Sequence, residues 1–333
     1  KLGYQQGYIM SLNLYARVYY RRGNYDSSIS YSSQALKLAQ QINDSVLQSS
    51  SLIALGSANS YMGNNNQAID YYFKGLAIEE KLKQQENLQW YFNNIGNVFS
   101  NMKNYPKALE YTIKAKNIVE KSTDKKYLGM VYNNIGWIYM LLEKNDSARF
   151  ALEKSLKIAE EENDKYSIAL CLDNLSQLFI KLKQFDKAYE YSTRSYEISR
   201  LQGLKEQTVA SLISMGTIQI QRNRFTEAEN DLNRAMQMAK SINSKALARD
   251  AALQFARLYH KQEKYKQAHS YYKIYSEIKD TLLNEENSKL LTEMNTKYTT
   301  EKKEKEIELL KKNEDIQSLE LSKKKNELER QRT

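Results

Sequence analysis

A small residue returns every 40 positions along this chain, at Ala16, Gly56, Gly96, Gly136, Ser176, Gly216 and Ala256. A second column, Ser28, Ala68, Ala108, Ala148, Ala188, Ala228 and Ala268, keeps the same interval without an insertion. An unbroken period of this length marks a stack of equal supersecondary units, each burying its apolar face against the next. Helices that cross closely need small side chains at the crossing, so the columns are read as the contact points of helical hairpins. Apolar residues at helical spacing flank them, as Ile95, Phe99 and Met102 flank Gly96, and Ile135, Tyr139 and Leu142 flank Gly136. Each set turns one stripe toward the partner helix.

With 333 residues but only 11 Gly and one Pro, the chain has too few breakers for two or three loop-rich globular domains or for a strand-rich fold, and reads as mostly helix. A short polar turn, "KNY", "EKND" or "KQF", separates the columns. Pro106 follows one of these turns, at the start of a second helix, where its missing N–H costs nothing.

The order of small residue, aromatic three later, Gly-x-aromatic turn, Ala, and a further small residue seven later resembles the tetratricopeptide repeat. "ARVYYRRGNYDSSISYSSQA" matches it most fully, with Gly23 and Tyr25 in the turn and Ala35 at the close. The unit exceeds the roughly 34 residues of the standard repeat, and is similar to the extended repeats of bacterial regulators and kinesin-type cargo adaptors. The resemblance covers 5–284 as seven 40-residue repeats, with 1–4 as the tail of a preceding repeat; Asn59 and Gln219 depart from it in the aromatic position. It implies an all-α, right-handed superhelical solenoid. Boundaries are expected at Asn43–Asp44, Thr123–Asp124, Asn163–Asp164 and Asn243–Ser244, and a start in mid-array implies further sequence upstream.

From about Asn284 the text has neither Gly nor Pro and is dense in Glu and Lys, so 285–333 reads as a long helix. Leu291, Met294 and Tyr298 give it a stripe that can cap the last hairpin. Ile307, Leu310, Leu321 and Leu328 recur at heptad-compatible spacing, interrupted by Glu314, Gln317 and Lys324. Both a solvated single helix and a coiled coil through which copies self-associate fit that pattern. The run "KYTTEKKEKEIELLKKNEDIQ" after such an array resembles the juxtamembrane segment of bacterial membrane-bound signalling proteins. That resemblance implies a periplasmic sensor region, a membrane span just after the chain end, and a histidine kinase or helix-turn-helix output beyond it. A cytoplasmic scaffold or adaptor is the alternative, and a peptide-pheromone-type regulator a third. No apolar run within the chain is long enough to span a membrane.

The net charge of +10 does not point to nucleic acid. Residues 285–333 hold 12 Lys and Arg against 12 Asp and Glu, so the excess lies on the repeats, without a basic block interleaved with aromatics. The single Cys171 sits beside Leu170 and Leu172 and reads as core. His260 and His269, the only histidines, are nine apart, which fits no metal-site spacing, and they read as surface groups. Gly23, Gly56, Gly63, Gly75, Gly96, Gly136 and Gly216 occupy repeat positions, which leaves no phosphate-cradling loop. Glu160, Glu161 and Glu162 read as solvated at a helix end. A non-catalytic chain without cofactor or metal is expected.

The groove remains. In a stack of hairpins the first helices line a concave face, and the residues two before and one after the small column are expected there. In the central repeats these are Asn94 with Asn97, Asn134 with Trp137, and Asn174 with Gln177, preceded by Asn93, Asn133 and Asp173. Asn is a mediocre helix former, so its recurrence in mid-helix calls for a second role. Amides that hold the N–H and C=O of an extended peptide are one reading; amides that bond between neighbouring repeats are the other. Trp137, expected on the concave face without a duty in the core, and Trp90, four before Asn94, are the candidate ligand anchors. The expected partner is a peptide or protein.

Overall fold

At intervals of 20 residues, positions 83 and 123 lying outside the described residues, the backbone enters the left-handed region and one helix ends. The positive-φ residues are Gly23, Asn43, Gly63, Lys103, Glu143, Asn163, Lys183, Gly203, Asn223, Asn243 and Glu263. The same turn thus closes a hairpin and joins it to the next. After it the chain bonds back across the helix end, Asp44 N–H to Ala39 O and Asp164 N–H to Ala159 O, each at 3.0 Å, which satisfies otherwise orphaned carbonyls. Five of the described helices then start on a side-chain cap, as where Asn24 accepts from the N–H of Ser27 at 3.1 Å and Asp44 from that of Leu47 at 3.0 Å, while α7, α8, α10, α11 and α12 have none.

The computed structural model describes residues 2–82, 85–122, 125 and 127–282. They form α1 Leu2–Arg21, α2 Tyr25–Gln41, α3 Ser45–Tyr61, α4 Asn65–Leu82, α5 Gln85–Asn101, α6 Tyr105–Lys121, α7 Leu128–Leu141, α8 Asn145–Glu161, α9 Lys165–Lys181, α10 Phe185–Leu201, α11 Lys205–Gln221, α12 Phe225–Ser241 and α13 Lys245–Lys261. An α14 follows over 265–282, and no strand occurs among the described residues. The 1–4 segment differs from expectation, since Leu2 to Tyr4 form the first turn of α1. The Thr123–Asp124 boundary and the 285–333 helix lie outside the described residues.

The small-residue column does what its spacing demands. A Cβ on Gly136 would lie 2.6 Å from Leu152 Cγ and 3.2 Å from its backbone nitrogen, and one on Gly56 would enter the ring of Tyr72 at 2.5 Å. At Ala16 and Ser176, where the column carries a Cβ, the residue sixteen positions on is Ser32 or Ser192, both buried, whereas after Ala256 in the last hairpin it is Tyr272, which points out to solvent. Up to that hairpin, bulk on one helix is thus matched by its absence on the other. A second device repeats in alternate hairpins, where rings stack across the pair: Tyr19 on Tyr31 at 5.3 Å, then Phe99 on Tyr111, Phe179 on Tyr191 and Tyr259 on Tyr271, each at 5.5 Å. Asn59, which replaces the aromatic, bonds through Nδ2 to Leu55 O at 2.8 Å. Gln219, buried at the same place, keeps an unpartnered Oε1 among the described residues.

Successive odd-numbered helices pack backbone to backbone from α1 to α13, whereas the even-numbered helices meet only through long side chains, as Arg194 of α10 reaches Glu160 of α8 and Lys154 of α8 lies 3.9 Å from Glu120 of α6. The odd-numbered layer is therefore the tight inner wall and the even-numbered layer the splayed outer one. Between them the core runs as a chain of clusters, of which that around Leu152, Leu172, Leu175 and Phe179 is the largest.

Candidate binding surface

Each odd-numbered helix turns a stripe of four residues, at spacings of four, three and four, away from the core along the inner wall. On α5 they are Trp90, Asn94, Asn97 and Asn101; on α7, Met130, Asn134, Trp137 and Leu141; on α9, Leu170, Asn174, Gln177 and Lys181. All are half-buried or exposed except Asn174, which is 7% exposed. The translation by 40 residues lays these stripes side by side as a continuous floor.

Three of the residues expected in the groove are not on this floor. Asn93, Asn133 and Asp173 are buried in the seam between successive odd-numbered helices. One step along a helix is a rotation of about 100°, enough to carry a residue from the floor to its flank. There they brace one repeat to the next. Asn134 Nδ2 donates to Asn93 Oδ1 at 2.9 Å, Asn174 Nδ2 donates to Asn133 Oδ1 at 2.8 Å, and Ser211 Oγ donates to Asp173 Oδ1 at 2.7 Å. The doubled Asn of each central repeat is thus an inter-repeat bridge, and Asn174 is drawn under the surface by its own. Trp137 is corrected as well: its indole packs against the Met140–Leu152–Leu172 cluster, so it shares in the core while one side meets the groove. Trp90 lies against Tyr127, ring centroids 3.8 Å apart.

Three candidates remain uncommitted. The side chains of Asn94, Asn97 and Gln177 make no hydrogen bond to any described residue. They are half-buried, so their donors and acceptors are partly stripped of water yet open to a ligand. Cys171 is core, its thiol pushed up to about 11 by burial, with a hydrogen bond to Ser155 partly offsetting this. His260 and His269 are exposed, and no group of three or more His, Cys, Asp or Glu able to hold a metal occurs among the described residues.

Burial also dominates the electrostatics of the seam. It pushes the Asp173 carboxyl up to about 7, against the opposing hydrogen bonds from Ser211 and Ser195. The phenol of Tyr166 on α9 is raised first by burial and then by Tyr61 of α3 and Glu206 of α11; that of Tyr25 on α2 is raised by burial and by the same two groups. Tyr61 in turn stacks on Tyr25 at 5.5 Å and meets Tyr20 edge-on at 5.1 Å. Tyr61 and Glu206 thus act on both Tyr25 and Tyr166 through space. On the outer side a separate cleft of about 430 Å³ lies between α6, α7 and α8, lined by Ile113, Lys116, Tyr132 and Phe150.

A family model described as tetratricopeptide repeat matches residues 8–81, 87–161 and 167–241. Each match spans two hairpins, and together they cover more than half of the chain. Among solved structures, the apo form of RapI is 18% identical, covers 83% of this chain and 99% of its own, and superposes with a TM-score of 0.69. A Rap protein complexed with competence and sporulation factor is 16% identical over 81% of this chain and 74% of its own, TM-score 0.64. The Rap conjugation gene regulator of the plasmid pLS20, solved with the Phr* peptide, is 12% identical over 83% and 96%, TM-score 0.57. At these identities the likeness is one of fold. No characterised protein sequence matches the chain.

Proposed function

The chain belongs to the tetratricopeptide repeat family, and we propose that it is a non-catalytic sensor region of a bacterial signalling protein, binding an extended peptide along the inner wall of its solenoid. The observation that carries this reading is the set of half-buried, partnerless amides at Asn94, Asn97 and Gln177 beside the half-buried indoles of Trp90 and Trp137. Amides without a partner among the described residues, on α5 and again two repeats on at α9, pair with the main chain of an extended ligand whatever its side chains, and indoles supply the anchors. Two neighbours in fold, the Rap protein with its factor and the pLS20 regulator with its peptide, bear on the same reading. Its finer form is a periplasmic region of a membrane-anchored histidine kinase or helix-turn-helix regulator, in which ligand-induced change of superhelical curvature passes to 285–333. That form rests on the juxtamembrane-like run after Tyr298.

The test uses a variant that leaves the seam intact. Asn97→Ala with Gln177→Ala removes only partnerless amides, so melting should not change, while retention of a fluorescent random dodecapeptide pool should fall. Two lost hydrogen bonds at roughly 0.5–1.5 kcal/mol each correspond to about 5- to 150-fold in affinity. Equal retention by variant and wild type would sink the proposal.

A further inference from the structure

The floor of the groove carries almost no charge. The four stripe positions of the second to sixth repeats make twenty residues, of which only Lys181 is charged, in a chain whose charged share is 27%. Lys181 is already engaged, donating to Met140 O at 3.1 Å and lying 3.8 Å from Glu143. Charge returns at both ends of the same stripe, as Arg17 and Arg21 on α1 and as Asp250, Arg257 and Lys261 on α13, where Asp250 is paired with Arg249 at 2.7 Å. Glu206 stands in the first turn of α11, at the rim beside Tyr25 and Tyr166, not on the floor.

We propose that this groove is selective for an uncharged peptide: its floor takes a run free of Asp, Glu, Lys and Arg, and holds any charge of the ligand at the two ends. The inference rests on the peptide-binding reading above and adds the chemical class of the ligand. A charged side chain lowered onto the floor loses water and meets no counter-charge, whereas partnerless amides satisfy neutral polar groups and the indoles take apolar ones. Neighbouring inner helices stand about 8–10 Å apart and an extended chain rises about 3.3 Å per residue, so five repeats accommodate about a dozen residues. An uncharged glycan would also find indoles and amides here. Met130 and Leu170, interleaved with them, favour a peptide, whose side chains alternate in polarity, over a sugar chain with hydroxyls along its whole length.

A displayed random dodecapeptide library selected on the full chain, with neutral glucan and chitin oligosaccharides assayed in parallel, tests the assignment. Selected peptides should be depleted of all four charged residues at their central positions, and Lys placed at the centre of a selected peptide should weaken binding at least about tenfold. Asn97→Asp should recover most of that loss for the Lys peptide while weakening the neutral parent; should that variant fail to fold, Thr217→Asp on the same stripe replaces it. Central charges at library frequency, or a Lys peptide bound no better by the Asp variants, would overturn the selectivity and leave peptide binding standing. If no peptide is selected, with or without a bound glycan, the peptide reading falls and this inference with it.

Discussion

Asp173 holds a carboxyl in a seam where water does not reach, and its pH dependence follows from the two states. In the unfolded chain an aspartate loses its proton near about 3.9, whereas in the fold burial holds the proton to about 7. Between those values the native state binds more protons than the unfolded one, so stability falls as pH rises, and the loss is complete above the folded value. The melting temperature should therefore decline from about pH 5 to about pH 8, by the equivalent of a few kcal/mol at most, and Asp173→Asn should flatten the slope. Asp231, raised to about 6 mainly by burial and partly held down by Arg234, adds a smaller decline in both proteins, so the difference between them is the quantity to measure. An equally steep decline in the variant would show that Asp173 is not the titrating group. Gly136 makes a steric prediction at the same scale. With Leu152 and its backbone already within reach of an added Cβ, Gly136→Leu should cost about 1–3 kcal/mol or more by forcing α7 from α8. Trp137→Ala, which removes a side chain only half in the core, should cost less. The places of Gly136 and Ala148 at the helix crossing were legible from period alone, and that of Cys171 in the core from its apolar neighbours. The burial of Asp173 was not, because nothing local distinguishes it from an acid one helical step away on the floor.

At the scale of helices, side-chain bridges cross the seam between repeats. Asn133 and Asn174 should couple in a double-mutant cycle by about 0.5–1.5 kcal/mol, read from melting of both single alanine variants and the double. Additive losses would mean that their 2.8 Å hydrogen bond contributes nothing to the stack. This also limits the use of Asn134→Ala and Asn174→Ala as binding probes, since each removes a brace as well as an amide. The turns offer a gain. Lys183 sits at φ 59°, a conformation that strains a side-chain-bearing residue and suits glycine, so Lys183→Gly should be neutral or raise stability by about 0.5 kcal/mol despite glycine's greater freedom when unfolded. A clear drop in melting temperature would contradict that. Hairpins, turn positions and caps were readable because they depend on neighbours within a few residues. Which of two adjacent asparagines faces the groove was not, because it depends on how far the next repeat is rotated.

At the scale of the molecule, seven hairpins among the described residues build an inner wall that is almost uncharged at its centre and rich in amides and indoles. The period made the stack legible. How far each repeat is rotated on the last was not legible, since no single residue encodes it. The central claim is that ligand lies along the odd-numbered helices, and hydrogen–deuterium exchange with and without a selected dodecapeptide tests it most directly. Bound peptide should slow exchange in α5, α7 and α9 and leave the outer helices α6, α8 and α10 at their free rates. Protection confined to the outer helices, or to the cleft between α6 and α8, would contradict the account.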